Sequence, residues 1–112
     1  MARRGLIRRG EIHFANFPGV GRKRVLIVSW NPVNAGMHPI VARVTSRRRV
    51  RNVPTSVELE AGEANLPETS WVLCHELAAL PAAVIDDEPD GTLSFERMQQ
   101  VDEALKRALD LR

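Results

Sequence analysis

The sequence predicts a mainly β domain, a small and strongly curved antiparallel barrel that ends in one α-helix. Three observations predict this fold class. Short apolar or alternating segments of strand length recur along residues 11–85, with turn-forming residues between them. The periodicity changes to that of a helix near the C-terminus. The chain has 112 residues, which is the size of a single domain.

Three strands are predicted before residue 46. The segment 11–17 alternates and is rich in apolar and aromatic residues, as a half-buried strand does. Residues 25–30 form a continuous apolar run, which is typical of a central strand buried on both faces. Residues 40–45 give the third strand. The intervening segment 31–39 is rich in Pro, Asn and Gly and is therefore predicted to be a loop.

Three further strands are predicted after a basic loop at residues 46–54. They are residues 55–59, residues 70–77 and the short segment 82–85. An acidic turn follows the last of them. Because several short strands precede a single helix, a small curved barrel is the favoured architecture.

A C-terminal helix is predicted over residues 95–111. Ser94 is a favourable N-cap, and acidic residues near the start give way to Lys106 and Arg107 near the end. The apolar side chains recur at helical spacing: Phe95, Met98, Val101, Leu105, Ala108 and Leu109. The domain is expected to span residues 9–112, and residues 1–8 are expected to form a flexible basic N-terminus.

Composition argues against several classes of protein. Cys74 is the only cysteine, so the chain can form neither an internal disulfide nor a thiolate zinc site. The three histidines are far apart in sequence, and no metal or cofactor is expected. No apolar run approaches the roughly 18 residues of a membrane span. Since the first ten residues lack the apolar core of a secretory signal, a cytoplasmic location is expected.

Charge is distributed very unevenly along the chain. Residues 1–51 carry twelve Lys or Arg and one acid, a net charge of +11, whereas residues 52–112 carry a net charge of −9. Eleven of the twelve basic residues are arginines, whose planar fork suits phosphate groups. The asymmetry predicts one face that contacts a polyanion, most simply RNA.

Several motifs, in order, resemble the MazF/PemK family of toxin endoribonucleases. Residues 9–12 (RGEI) resemble the family's first strand, and residues 21–29 (GRKRVLIVS) resemble its "G-x-R-P-V-L-V-V-S" turn and strand. Residues 44–47 (VTSR) and 54–59 (PTSVEL) are similar to its "I-T-S/T-R … P-T-x-V-x-L". Residues 101–111 (VDEALKRALDL) are typical of its terminal helix.

The resemblance implies a specific fold, assembly and activity. The fold would be an SH3-like, plug-like barrel, and the protein would be a homodimer. A cognate acidic antitoxin would bind the toxin and neutralise it. The activity would be metal-independent, sequence-specific cleavage of single-stranded RNA, as in an mRNA interferase. The ribose 2′-hydroxyl would attack the neighbouring phosphate, which requires a proton acceptor, a proton donor and a cation beside the phosphorane.

The resemblance also assigns site residues. The family's catalytic Thr, at the end of the third strand, matches Thr45. The family's catalytic Arg falls on Lys23 and its usual Pro falls on Arg24, so both are candidates for the catalytic cation. The expected RNA-binding residues are the neighbouring hydroxyl and basic side chains together with one tryptophan that could stack on a base: Arg22, Ser46, Arg47, Arg48, Arg49 and Trp30.

One segment departs from the family pattern. Many members have "E/D-Q-I-R-T/S" where this chain has residues 74–79 (CHELAA), so Glu76 and Ala78 replace groups that include an RNA-gripping Arg. His75 in this segment is a candidate acid or base because an imidazole titrates near neutrality. The alternative for His75 is a structural role in its strand.

Two other functional classes are compatible with the sequence. Residues 70–85 also resemble CcdB, a non-enzymatic gyrase inhibitor of the same fold. CcdB-type toxins end in an aromatic tail, whereas this chain has no Trp or Phe after Phe95. The second alternative is a non-catalytic RNA-binding barrel.

The basic loop yields a prediction about binding. Replacing Arg47, Arg48 and Arg49 together with Ala should weaken RNA binding and flatten its dependence on salt. For a single-stranded RNA, every phosphate that the variant no longer neutralises should reduce the slope of log K against log [salt] by about 0.7. Fluorescence anisotropy with labelled RNA over a salt series measures both quantities. An unchanged slope would mean that this loop faces away from the nucleic acid.

Overall fold

Six strands and two α-helices make up the described part of the chain, which comprises residues 7–36, 38–47 and 53–112 of a computed structural model. The strands form one antiparallel sheet in the order β4-β5-β3-β2-β1-β6. This architecture confirms the mainly β prediction. The elements are β1 Glu11–Phe17, β2 Gly21–Ile27, α1 Asn31–Gly36, β3 Ile40–Thr45, β4 Ser56–Leu59, β5 Ser70–Ala79, β6 Gly91–Thr92 and α2 Phe95–Leu109.

The two edges of the sheet are brought together, so the sheet is curled into a half-barrel. A 3-10 turn at Glu63–Asn65, shortly after edge strand β4, packs against the opposite edge strand β6. The Asn65 side-chain amide donates a hydrogen bond to the Asp90 carboxylate at 3.2 Å, next to Gly91 of β6. Strand β5 carries a bulge opposite β3, and bulges bend sheets strongly.

The concave face of the sheet is covered by α2. The helix begins at Ser94, whose hydroxyl accepts a hydrogen bond from the Arg97 backbone N–H. Its apolar stripe packs on side chains from the sheet, and together they form the larger core. The buried members are Ile12, Leu26, Ala42, Val44, Val57, Leu59, Leu66, Val72, Cys74, Leu93, Met98, Val101 and Ala104.

A second, smaller core lies on the other face of β1, β2 and β3. Loop residues Leu80 and Ile85 cover it, together with Ile7, which is 4% exposed. Ile7 therefore packs into the core two residues before the predicted start of the domain. The strand residues of this core are Ala15, Phe17, Val25, Ile27 and Val41.

The predicted second strand and the loop after it differ from the observed elements. Strand β2 comprises Gly21–Ile27 rather than residues 25–30, because the basic residues at its start pair with β1, as Phe14 does with Arg24. The predicted loop 31–39 contains helix α1. Asn34 on this helix is buried and hydrogen-bonds Ser29, and no local sequence pattern indicates this interaction.

Other predicted elements differ from the observed ones in type or in their last residue. The predicted strand 82–85 is a 3-10 turn at Ala82–Val84, and the two-residue strand β6 was not predicted. Strand β5 continues to Ala79. The C-terminal helix is confirmed but ends at Leu109, because Asp110 adopts a left-handed conformation (φ 56°) that terminates it. In the described residues, no helix is long and apolar enough to cross a membrane.

Gly91 gives a stability prediction, since it lies where the two sheet edges meet. A Cβ at this position would be 2.1 Å from the Ala64 carbonyl oxygen and 2.9 Å from its Cα. These are backbone atoms that cannot rotate away, so Gly91→Ala should lower the free energy of unfolding by about 1–3 kcal/mol. Urea titration of Gly91→Ala measures the decrease, and Gly36→Ala, where no atom lies within 4 Å, is the matched control.

Candidate functional site

A groove opens where strands β2 and β3 part. The two strands pair only from Val25–Arg43 to Ile27–Val41. The start of β2 continues along β1, and the end of β3 continues along β5 up to the pair Thr45–Trp71. Because the strands are antiparallel, the basic start of β2 lies beside the end of β3.

The groove has a volume of about 220 Å³ and collects most of the predicted site residues. All three predicted catalytic residues line it, and so do three of the predicted RNA-binding residues. Arg48 and Arg49 lie outside the described residues. The lining consists of Phe14, Arg22, Lys23, Arg24, Val44, Thr45, Ser46, Arg47, Pro67, Glu68 and Ser70.

Strand alternation places Lys23 and Thr45 on one face of the sheet. Lys23 shares its face with Val25, and Thr45 shares its face with Arg43, since residues two apart in a strand point the same way. Val25 and Arg43 are direct partners across the β2–β3 ladder. Arg24 lies on the opposite face, with Leu26 of the larger core.

Arg22 and Arg24 are held by a common aromatic ring and by two carboxylates. Their guanidinium carbons lie 4.9 and 4.6 Å from the centroid of the Phe14 ring. Arg22 donates two hydrogen bonds to Asp86, at 2.7 and 3.1 Å, and Arg24 donates one to Asp90 at 2.8 Å. The hydrogen bond from Arg22 lowers the pKa of Asp86, and the same interaction raises the pKa of Arg22. Both guanidinium charges are thus locally neutralised.

Lys23 differs from its two neighbours. Its side chain is half-buried, and it makes no hydrogen bond or ion pair with any residue that the structure describes. Its ammonium group is therefore available to an anion in the groove. A lysine ammonium is a point charge with three donors and lacks the bidentate fork of arginine.

Thr45 presents a hydroxyl group to the same groove. Its Oγ1 accepts a hydrogen bond from the Arg47 backbone N–H at 3.3 Å, so a lone pair is occupied and the hydroxyl proton stays free to donate. This hydrogen bond also holds the start of the basic loop beside the strand end. A phosphate in the groove could therefore receive a hydrogen bond from Thr45 and interact with the charges of Lys23 and Arg47.

The opposite wall of the groove contains residues that were not predicted from the sequence. They are Pro67, Glu68 and Ser70, just before and at the start of β5. The Ser70 hydroxyl donates a hydrogen bond to the Glu68 backbone carbonyl at 2.9 Å. No local motif marks this short turn, which lies in the acidic half of the chain and meets the basic half only in the folded sheet.

Trp30 is not among the residues that line the groove. It follows β2 at the end remote from Lys23, and its side chain is 72% exposed. The observed exposure argues against a core role for this tryptophan. It leaves the ring available for stacking on a base or against a second protein surface.

The segment that departs from the family pattern forms the bulge of β5. His75 Nδ1 lies 2.7 Å from the Thr55 hydroxyl oxygen, and Glu76 accepts a hydrogen bond from Arg43 at 3.0 Å. His75 does not line the groove. Cys74 is buried, and burial raises the pKa of its thiol to about 11. A thiol that resists ionisation is a poor nucleophile.

Comparison with known proteins gives consistent matches. Residues 8–109 match the family described as the PemK-like, MazF-like toxin of type II toxin–antitoxin systems. Endoribonuclease EndoA of Bacillus subtilis (strain 168) is 29% identical over 113 residues, which cover 95% of this chain and 97% of that protein.

Solved structures match over nearly the whole fold. An endoribonuclease in complex with its cognate antitoxin from a mycobacterial species has a TM-score of 0.80 and 27% identity, covering 95% of this chain and 97% of that one. Mycobacterium tuberculosis toxin MazF-mt6 has a TM-score of 0.79 and 26% identity, covering 91% of this chain and 98% of that one.

Proposed function

Because the chain belongs to the PemK-like, MazF-like toxin family of type II toxin–antitoxin systems, we propose that it is a metal-independent endoribonuclease that cleaves single-stranded RNA at specific sequences. The observation that carries this proposal is the groove in which an unpaired Lys23, the Thr45 hydroxyl and Arg47 converge. EndoA of Bacillus subtilis and the similar mycobacterial protein solved with its antitoxin are themselves named endoribonucleases. Cleavage would take place in the cytoplasm, where the substrate RNA is found.

In the proposed reaction the 2′-oxygen of the ribose attacks the adjacent phosphorus, and the bond from phosphorus to the 5′-oxygen breaks. Negative charge builds on the non-bridging oxygens as the phosphorane forms. Lys23 would supply positive charge there, and the Thr45 hydroxyl would donate a hydrogen bond. The products are an RNA end with a 2′,3′-cyclic phosphate and a second RNA with a free 5′-hydroxyl.

The two basic candidates would have different roles. Lys23 takes the position of the family's catalytic arginine, shares the face of Thr45 and has no described partner. Arg24 is engaged by Asp90 and by the Phe14 ring. We therefore assign the catalytic cation to Lys23 and a positioning role in the groove wall to Arg24. Arg22, Ser46 and Arg47 would bind flanking phosphates, together with Arg48 and Arg49.

A cognate antitoxin is proposed as the physiological partner. The structure of the similar mycobacterial endoribonuclease was solved in complex with its cognate antitoxin. An acidic, flexible antitoxin segment would suit the basic groove by charge and would compete with RNA for Lys23 and Arg47. The alternatives raised by the sequence, a CcdB-like gyrase inhibitor and a non-catalytic RNA-binding barrel, find no support in these matches.

The catalytic assignment yields a prediction. Thr45→Ala and Lys23→Ala should each lower kcat by about 100- to 1,000-fold, because each removes a preorganised group that faces developing charge. Arg24→Ala should lower kcat less and should also lower Tm, since it breaks the ion pair with Asp90. Cleavage of an end-labelled RNA in the presence of EDTA measures the rates.

Arg107→Ala is a matched control, because Arg107 is an exposed basic residue on α2 outside the groove. It should cleave at the rate of the unmodified protein. Unchanged cleavage by Thr45→Ala would remove that residue from the mechanism. A larger decrease in Arg24→Ala than in Lys23→Ala, with Tm unaltered, would reverse the assignment of the cation.

The protein is further proposed to be a homodimer. A domain of this size buries a modest fraction of its surface, and twofold pairing is the commonest closed assembly. Large apolar side chains stay exposed at Trp30, Phe95, Leu109 and Leu111. Sedimentation equilibrium at micromolar concentration should give about twice the 12.5 kDa mass of one chain. A mass near that of one chain would exclude the dimer.

A further inference from the structure

Glu68 contributes the only carboxylate to the groove among its described lining residues. We propose that Glu68 is the general base, which accepts the proton of the attacking 2′-hydroxyl. This inference rests on the proposed endoribonuclease function and extends it, because the motifs shared with the family account for a cation and a hydroxyl donor but for no proton acceptor in the groove.

The other groups in the groove are unsuited to accept this proton. The guanidinium groups of Arg22, Arg24 and Arg47 have donors and no acceptor, and the Lys23 ammonium is likewise only a donor. The hydroxyls of Thr45, Ser46 and Ser70 are very weak bases. Phe14, Val44 and Pro67 have no titratable group. A carboxylate is the one remaining lining group with a free lone pair of useful basicity.

The Glu68 carboxylate is free to act. Its side chain is exposed, and it forms no ion pair or side-chain hydrogen bond within the described residues. The nearby arginines Arg22 and Arg24 are already neutralised by Asp86 and Asp90. Lys23 and Arg47 have no described ionic partner, and Glu68 forms no ion pair with either of them among the described residues.

The backbone of Glu68 is held at the groove wall. The residue before it is a proline, whose φ is fixed by its ring. Ser70, which is 4% exposed, donates its hydroxyl hydrogen bond to the Glu68 carbonyl. Ser70 in turn pairs with Leu59 across the β4–β5 ladder. The backbone position of Glu68 in the groove wall is therefore fixed by the sheet.

Glu68 also borders a neighbouring cavity of about 290 Å³, which shares Ser46, Pro67 and Glu68 with the groove. A nucleotide whose phosphate occupies the groove can extend its ribose toward this shared wall. The proton of the 2′-hydroxyl then passes to Glu68 as the 2′-oxygen bonds to phosphorus. The bond to the 5′-oxygen breaks, and that oxygen takes a proton from Lys23 or from water.

The test is Glu68→Gln, which keeps the shape and removes the proton acceptor. General-base catalysis typically contributes a factor of about 100 to 10,000, so kcat should fall by at least about 100-fold. Affinity for an RNA with a 2′-deoxyribose at the cleaved position should be unchanged or tighter, because a negative charge has left a phosphate site.

A modified substrate distinguishes a role of Glu68 as general base from a role as general acid. An RNA in which sulfur replaces the bridging 5′-oxygen has a leaving group that needs no proton. Glu68→Gln should stay impaired on this substrate, since a base is still required, whereas a variant lacking the general acid would be rescued. Glu60→Gln, an exposed acidic residue outside the groove lining, is the matched control and should cleave normally.

An unchanged kcat in Glu68→Gln would overturn the inference, whether or not the 2′-deoxy RNA binds more weakly. Rescue of Glu68→Gln by the 5′-thio substrate would overturn it as well. A changed cleavage sequence with normal kcat would also overturn it and would assign Glu68 to base recognition. Failure of the proposed function itself is distinguishable, because the unmodified protein would then cleave no RNA at all.

Discussion

Ion pairs join the basic first half of the chain to its acidic second half, and two of them position arginines that line the groove. Four such pairs occur among the described residues: Arg9–Asp102, Arg22–Asp86, Arg24–Asp90 and Arg43–Glu76. Arg22–Asp86 is exposed, and a pair of that kind contributes at most about 1 kcal/mol, whereas the other three pairs are partly buried. Two of them hold arginines against Phe14. Lys23 and Arg47 are the groove cations that have no described ionic partner. The basic first half of the chain is therefore not a uniform surface for binding a polyanion.

The sequence predicted an element correctly where interactions between residues close in sequence determine it. Strand β1 and helix α2 follow from alternation, from the Ser94 cap and from helical spacing, and all of these are local signals. Helix α1 depends on the buried hydrogen bonds between Ser29 and Asn34, and strand β6 has only two residues. Such elements exist because of interactions that are remote or weakly patterned, and periodicity cannot reveal them. Strand β2 was misplaced for a similar reason, since pairing with β1 keeps its charged start in the sheet.

The residues of the candidate site also fall into those that local motifs predict and those that only the folded sheet brings to the groove. Lys23, Thr45 and Arg47 were predicted from motifs, and the fold brings them into one groove. Motif alignment could not choose between Lys23 and Arg24, because the choice depends on which face of β2 each occupies and on the remote partner Asp90. Glu68 escaped prediction because it reaches the groove only through the pairing of β5 with β3. Its place in the site is a property of the sheet and has no counterpart in the local sequence.

The size of the groove bears on how RNA sequence would be read. At about 220 Å³ it is smaller than the roughly 300 Å³ at which ordinary ligand pockets begin, so it suits a phosphate with part of a ribose rather than a base. Contacts to phosphate fix the register of the chain but carry no sequence information. Base discrimination must therefore come from surfaces beside the groove. The neighbouring cavity bordered by Thr69 and Trp71 and the exposed ring of Trp30 are two such surfaces in the described chain. Catalysis and sequence reading would thus depend on different residues, and substitutions could alter one without the other.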